Sequence, residues 1–141
     1  MGDAQRATIT KIETLARNRR TKTGIIFPYD LITQEEIERL GAHAKTGIFQ
    51  RCKSHLDDAD IVIALLDGSQ VDDGTAWEMG YFYAKKSPEK KIIGIRTDFR
   101  RAGESEEAVV NAMLECSCDG IVRSKEELLE TICSVLLMRR H

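Results

Sequence analysis

Asp60-Ile61-Val62-Ile63-Ala64-Leu65-Leu66-Asp67 is the stretch that decides the fold. An apolar run without alternation, held between two aspartates, is too short for a core helix and suits a strand. A strand with one wet face would alternate; an unbroken run calls for apolar cover on both faces, the situation in a parallel sheet between helices. Lys91-Ile92-Ile93-Gly94-Ile95-Arg96 repeats the pattern, and Gly120-Ile121-Val122 is a shorter strand of the same kind. Upstream, Ile25-Ile26-Phe27, set off by Gly24 and closed by Pro28, reads as a buried strand with a stop.

Helical patterns fill the intervals. Ile9, Ile12, Leu15 and Ala16 predict an amphipathic helix over about 7–19, whose Arg17, Arg19, Arg20 and Lys22 suit a helix C-terminus better than a nucleic-acid patch. Thr33-Gln34-Glu35-Glu36 resembles a capping box and opens a helix with Ile37, Leu40 and Ala44, interrupted at Gly47 and resumed to about Asp57. Further helices are predicted over about 74–85, over Val109–Leu114, and after Ser124-Lys125-Glu126-Glu127 with Leu128, Leu129, Ile132, Val135 and Leu136 inward. Strict alternation of helix and strand gives a three-layer α/β sandwich, flavodoxin-like or Rossmann-like, with helices on both faces of a parallel sheet.

The 141 residues predict one domain over 1–141. A net charge of −2 argues against a nucleic-acid binder, and no apolar run reaches the length of a membrane span. The opening residues, MGDAQRATITK, lack the apolar core of a signal peptide, and Arg6 spoils a myristoylation motif at Gly2. Cys52, Cys116, Cys118 and Cys133 are too scattered for a disulfide framework and read as reduced thiols, so a cytoplasmic protein is expected. Neither Cys116-Ser117-Cys118 nor His43, His55 and His141 has metal-site spacing. With no P-loop and no G-x-G-x-x-G, no cofactor and no metal are expected.

Ligands of such sheets bind beyond the carboxyl ends of the strands. That rule selects Pro28-Tyr29-Asp30, Asp67 to Glu78, and Thr97 to Arg100. The middle segment carries Asp67, Asp72, Asp73 and Glu78 within twelve positions, at the mouth of the strongest strand. Two uses share this geometry. Asp72 or Asp73 caps the helix and Thr75-Ala76-Trp77-Glu78 forms a capping box, or the carboxylates do chemistry. Gly74 and Gly80 suit close backbone approach, while Trp77, Met79 and Tyr81 suit packing. Arg96, Asp98 and Arg100 either bound the site or form a solvated ion-pair network, the latter favoured for Arg100.

Asp-Asp-Gly-Thr-Ala-Trp-Glu-Met-Gly-Tyr (72–81), preceded by Ala59-Asp60-Ile61-Val62 and Asp67-Gly68, resembles the nucleoside 2-deoxyribosyltransferase family. Gly94-Ile95-Arg96-Thr97-Asp98-Phe99-Arg100 and Val110-Asn111-Ala112-Met113 resemble its later motifs, so the likeness covers about residues 24–115. It implies an enzyme that moves 2-deoxyribose from a 2′-deoxynucleoside to a free nucleobase. Glu78 matches the nucleophile that holds the sugar covalently, and Asp72 the acid that contacts the base, with Asp73 beside it able to take that task. Asn111 matches an amide that reaches the sugar hydroxyls, often across a subunit interface, which implies a dimer or higher homo-oligomer. Asp67, Gly74 and Asp98 are expected to line the substrate site.

Two positions depart from the family pattern. Its first strand, which ends in a Gly-Pro turn, has no counterpart here; the expectation is an upstream strand, or another segment such as Arg6–Thr10 in its place. Cys52, after Ile48-Phe49, stands near the place of a carboxylate that positions nucleophile and sugar. Two alternatives follow: an N-glycosidase of deoxynucleoside 5′-monophosphates, with Ser69 and Arg96 toward the phosphate, or a noncatalytic nucleotide-binding module.

Overall fold

The computed structural model describes residues 26, 31–100 and 103–138. The predicted helix over 7–19 lies outside the described residues. So does the predicted strand Ile25–Phe27 apart from Ile26, which is exposed and in no strand. The chain divides into two compact units, with the boundary between Asp58 and Ala59. No helix among the described residues is long and apolar enough to cross a membrane.

The first unit contains α1 (Gln34–Leu40) and α2 (Ala44–Asp58), joined by a 3-10 turn at Gly41–His43. Thr33 caps α1 as expected, its hydroxyl accepting the Glu36 N–H at 3.1 Å. The return arm of the expected capping box is not made. The Glu36 carboxylate instead takes the guanidinium of Arg51, which also donates to the Leu31 carbonyl at 2.8 Å. The helix breaks at Gly41 and not at Gly47. Gly41 has φ +53°, a left-handed conformation natural to glycine at a helix end, and its N–H bonds to the Ile37 carbonyl. Gly47 lies inside α2, where a Cβ would stand 3.3 Å from Leu40 Cδ1.

The second unit is built on β1 (Ile61–Leu65), β2 (Lys91–Ile95) and β3 (Gly120–Val122), paired in parallel in that order. The register sets Val62 beside Ile92, Ala64 beside Gly94, and Gly94 beside Ile121, so these residues share one face. On that face Ala64, Leu66 and Ile92 pack with Met79 and Phe82 of α3 (Asp73–Lys85) and with Val110. Leu114 of α4 (Ala112–Glu115) joins them. Gly94 permits a close approach in this core: a Cβ there would come within 2.6 Å of Leu66 Cδ1 and 3.1 Å of Cys118 Sγ. The opposite face carries Ile93 and Val122, both buried, with α5 (Lys125–Met138) packed on β3 through its buried Leu128 and Ile132. Right-handed crossovers explain the division, since strands added in sequential order keep their connecting helices on one face.

Three expectations are revised here. The apolar run of β1 is covered on one face only among the described residues: Ile63 is 40% and Leu65 50% exposed, because α5 sits at the far strand. The helix expected over Val109–Leu114 starts only at Ala112. Asn111 has extended backbone and caps it, and the Val109 N–H is taken by the Glu115 carboxylate at 2.8 Å, a side-chain partner in place of a helical one. Gly80 has open space around its Cβ position, so no close approach explains it, and Gly74 meets only the Asp72 carboxylate.

Candidate active site

The strand ends of β1 and β2 are laced together. Asp67 accepts the Thr97 N–H at 2.7 Å and the Asp98 N–H at 3.1 Å on Oδ1, and the Thr97 hydroxyl at 2.6 Å on Oδ2. Burial opposes ionisation of Asp67, but the bonds from Thr97 and Asp98 and the nearby Arg96 charge outweigh it and hold the carboxyl below its ordinary range. The Asp67 carboxylate is therefore engaged by the neighbouring loop. Asp98 in turn holds Arg100, whose Nη2 donates to Oδ2 at 2.7 Å, and this bond leads the causes that keep Asp98 far below the usual carboxylate range. The Arg100 side chain is 69% exposed, so the solvated ion pair expected there is present.

Arg96 behaves otherwise. It is fully buried, and its guanidinium donates to the carbonyls of Leu66, Gly68 and Arg100. That corrects both roles considered for it at solvent: it is neither part of a solvated network nor turned toward a phosphate. Its partners are backbone carbonyls, which no residue type marks in the sequence. Thr97 grips Asp67 through backbone and side chain, a role that a threonine at a strand end does not announce in sequence because that position has many uses.

From Asp67 the chain passes Gly68, whose φ of +99° turns it away from the sheet, and reaches α3 at Asp72. Asp72 is the N-cap. Its Oδ2 accepts the Thr75 N–H at 3.1 Å and the Thr75 hydroxyl at 3.3 Å. The capping box expected at Thr75–Glu78 is not formed, because the helix has already begun at Asp73 and Thr75 lies within it. Glu78 is thereby released from a capping duty. It is half-buried, and among the described residues nothing donates a hydrogen bond to its carboxylate. Burial, then the charge of Asp72, raises its pKa above the ordinary value. Met79 is core, whereas Trp77 and Tyr81 stack on each other at 5.2 Å on a more exposed face of the helix.

The structure thus gathers Asp67, Asp72, Asp73, Gly74, Glu78 and Asp98 along one continuous path from the ends of β1 and β2 into α3. Asn111 caps α4: its Oδ1 accepts the Met113 N–H at 2.9 Å and its Nδ2 donates to Glu104 at 2.6 Å. It makes no hydrogen bond to Asp72 or Glu78 among the described residues. Cys52 stands in α2, in the first unit, partly buried.

The sequence profile of the nucleoside 2-deoxyribosyltransferases matches residues 2–113, a span that includes parts of both units. The chain belongs to the nucleoside 2-deoxyribosyltransferase family. Its fold is also that of a conserved protein from Enterococcus faecalis V583 known by crystal structure, with a TM-score of 0.52 and 22% identity over 93% of this chain and 87% of that one. At that identity the likeness speaks to fold alone. It is one of 11 solved chains that match, so the fold does not rest on a single likeness. No curated protein matches the chain.

Proposed function

We propose that this protein transfers 2-deoxyribose between nucleobases through a covalent intermediate on Glu78. The observation that carries the reading is the state of Glu78: a half-buried carboxylate, unbonded among the described residues, raised in pKa, six residues beyond the Asp72 cap. A structural carboxylate in that place would be expected to hold a donor; one kept without a donor and partly dehydrated is a stronger nucleophile.

In the first step a Glu78 oxygen bonds to C1′ of the deoxynucleoside as the C1′–N bond breaks. Its electron pair leaves with the base, which takes a proton drawn from water and passed on through the Asp72 carboxylate. In the second step a nitrogen of the incoming base bonds to C1′, the C1′–O bond to Glu78 breaks, and the base's surplus proton passes through Asp72 back to water. Two inversions give net retention. Asp72 has the means: Oδ2 is occupied by the cap, and Oδ1 carries no hydrogen bond among the described residues. Asp73, Gly74 and Asp98 line the approach to the site, and Asn111 reaches the sugar from a neighbouring copy in a dimer or larger homo-oligomer. The chain acts as a single domain of this kind, with Cys52 supplying a thiol where the family resemblance places a carboxylate. Arg96 is turned inward, which favours transfer over cleavage of nucleoside 5′-monophosphates.

Incubation with deoxyadenosine and cytosine, followed by separation of products, tests the reading. Deoxycytidine and adenine together are expected, and intact-protein mass should show a deoxyribosyl adduct that Glu78→Ala lacks. Free adenine without deoxycytidine would mean hydrolysis, and no reaction would leave a binding module.

A further inference from the structure

Arg96 directly follows β2, and its N–H continues the ladder by bonding to the Val122 carbonyl at 3.0 Å. Its side chain is 0% exposed. One terminal nitrogen donates to Leu66 O and, at 3.0 Å, to Gly68 O; the other donates to Arg100 O at 2.6 Å. Nε has no partner among the described residues. Among the described residues none of its bonds goes to a carboxylate. A buried cation answered only by carbonyl dipoles and the nearby Asp67 charge is a costly way to fill a core position, and an aliphatic side chain would fill it more cheaply. A guanidinium contributes something no aliphatic group has: a rigid fork that joins two loops at once.

The fork has a reciprocal. Arg96, in the second strand's exit, grips the carbonyls on either side of Asp67, and Asp67, in the first strand's exit, grips Thr97 and Asp98 on the far side of Arg96. The two loops are tied in both directions, and the first runs on from Gly68 to the Asp72 cap in four residues. We infer that Arg96 is a positioning residue of this site, which sets the placement of Asp72 relative to Glu78 by clamping the Leu66–Gly68 loop against the loop that follows β2. The inference rests on the proposed roles of Asp72 and Glu78, and it acts through them without touching substrate.

Arg96→Lys in the full chain tests it. Lysine keeps the charge and loses the fork, so any change reports geometry. A misplacement of about 1 Å costs on the order of 100-fold in rate, so kcat should fall by about that factor while KM for the deoxynucleoside stays nearly constant. The Glu78 carboxyl, followed by carbon NMR, should titrate closer to an ordinary glutamate as Asp72 shifts away. A residue that only adds stability would leave that titration unmoved in the folded protein. Unchanged kcat, or an unchanged Glu78 titration, would overturn the inference. If Arg96→Lys fails to fold, Asp67→Asn loosens the same tie from the other side, and an unmoved Glu78 titration there is equally decisive. If the wild-type protein shows no transfer, the functional reading fails by itself, and the titration still decides whether Arg96 sets the Asp72–Glu78 geometry.

Discussion

Glu78 stands on the helix that Asp72 caps, and burial together with the Asp72 charge holds the Glu78 carboxyl above its ordinary range. One aspartate thus orders the helix start and tunes the carboxylate six residues further on.

The first consequence concerns pH. Glu78 must be ionised to attack C1′, so kcat/KM should fall on the acid side at a pH above the ordinary glutamate value. Asp72→Asn removes the neighbouring charge and, asparagine being an equally good cap, preserves the helix start. The Glu78 titration in that variant, followed by carbon NMR, should then move to lower pH even though transfer is lost. A Glu78 titration unmoved by Asp72→Asn would show that the two carboxylates are not coupled.

Stability should carry the same signature with a definite sign. A carboxyl with a raised folded-state pKa binds more protons folded than unfolded, so its contribution is present at low pH and is lost as pH rises through the folded value. At neutral pH the ionised Glu78 therefore weakens the fold. Glu78→Gln should melt at a higher temperature than wild type at pH 7, with the difference gone at a pH below the ordinary glutamate value. Thermal unfolding at the two pH values checks this, and a lower melting temperature at both would contradict it.

Asp72 has two roles that substitution can separate. Asp72→Ala should lose about 1 kcal/mol of stability with the cap, whereas Asp72→Ser should retain most of it. Both should lose transfer, since neither side chain exchanges a proton with the base. Denaturant midpoints read one role and product formation the other. Full activity in Asp72→Ser would pass the acid's task to Asp73.

Gly94 is the tightest point between the sheet and the loop that leads to the site. Gly94→Ala puts a methyl group 2.6 Å from Leu66 Cδ1, which cannot be met without movement. Overpacking of this kind costs about 1–3 kcal/mol, and the displaced Leu66 is the residue whose carbonyl Arg96 holds. A urea midpoint equal to wild type would show that Leu66 yields freely.

The alternation of elements, the parallel sheet and the carboxylates after β1 were legible in the linear chain, because they depend on local periodicity and on which residues close a strand. The unbroken run at 61–65 and the pairing of Asp67-Gly68 with 72–81 carry that information within the segment 61–81. Which carboxylate does what was not legible. Thr75–Glu78 and Asp72–Thr75 are equally good capping patterns by spacing, and only the folded backbone, starting its helix at Asp73, assigns the cap to Asp72 and leaves Glu78 unbonded among the described residues. Arg96 makes the same point from the other direction. As a charged residue before a polar loop it reads as surface, yet the parallel register brings the end of β2 beside Leu66 and Gly68, and their carbonyls draw the guanidinium inward. Those carbonyls are common to every residue type, so no sequence pattern announces them; they acquire meaning only when the two strand ends, some thirty residues apart, are brought side by side.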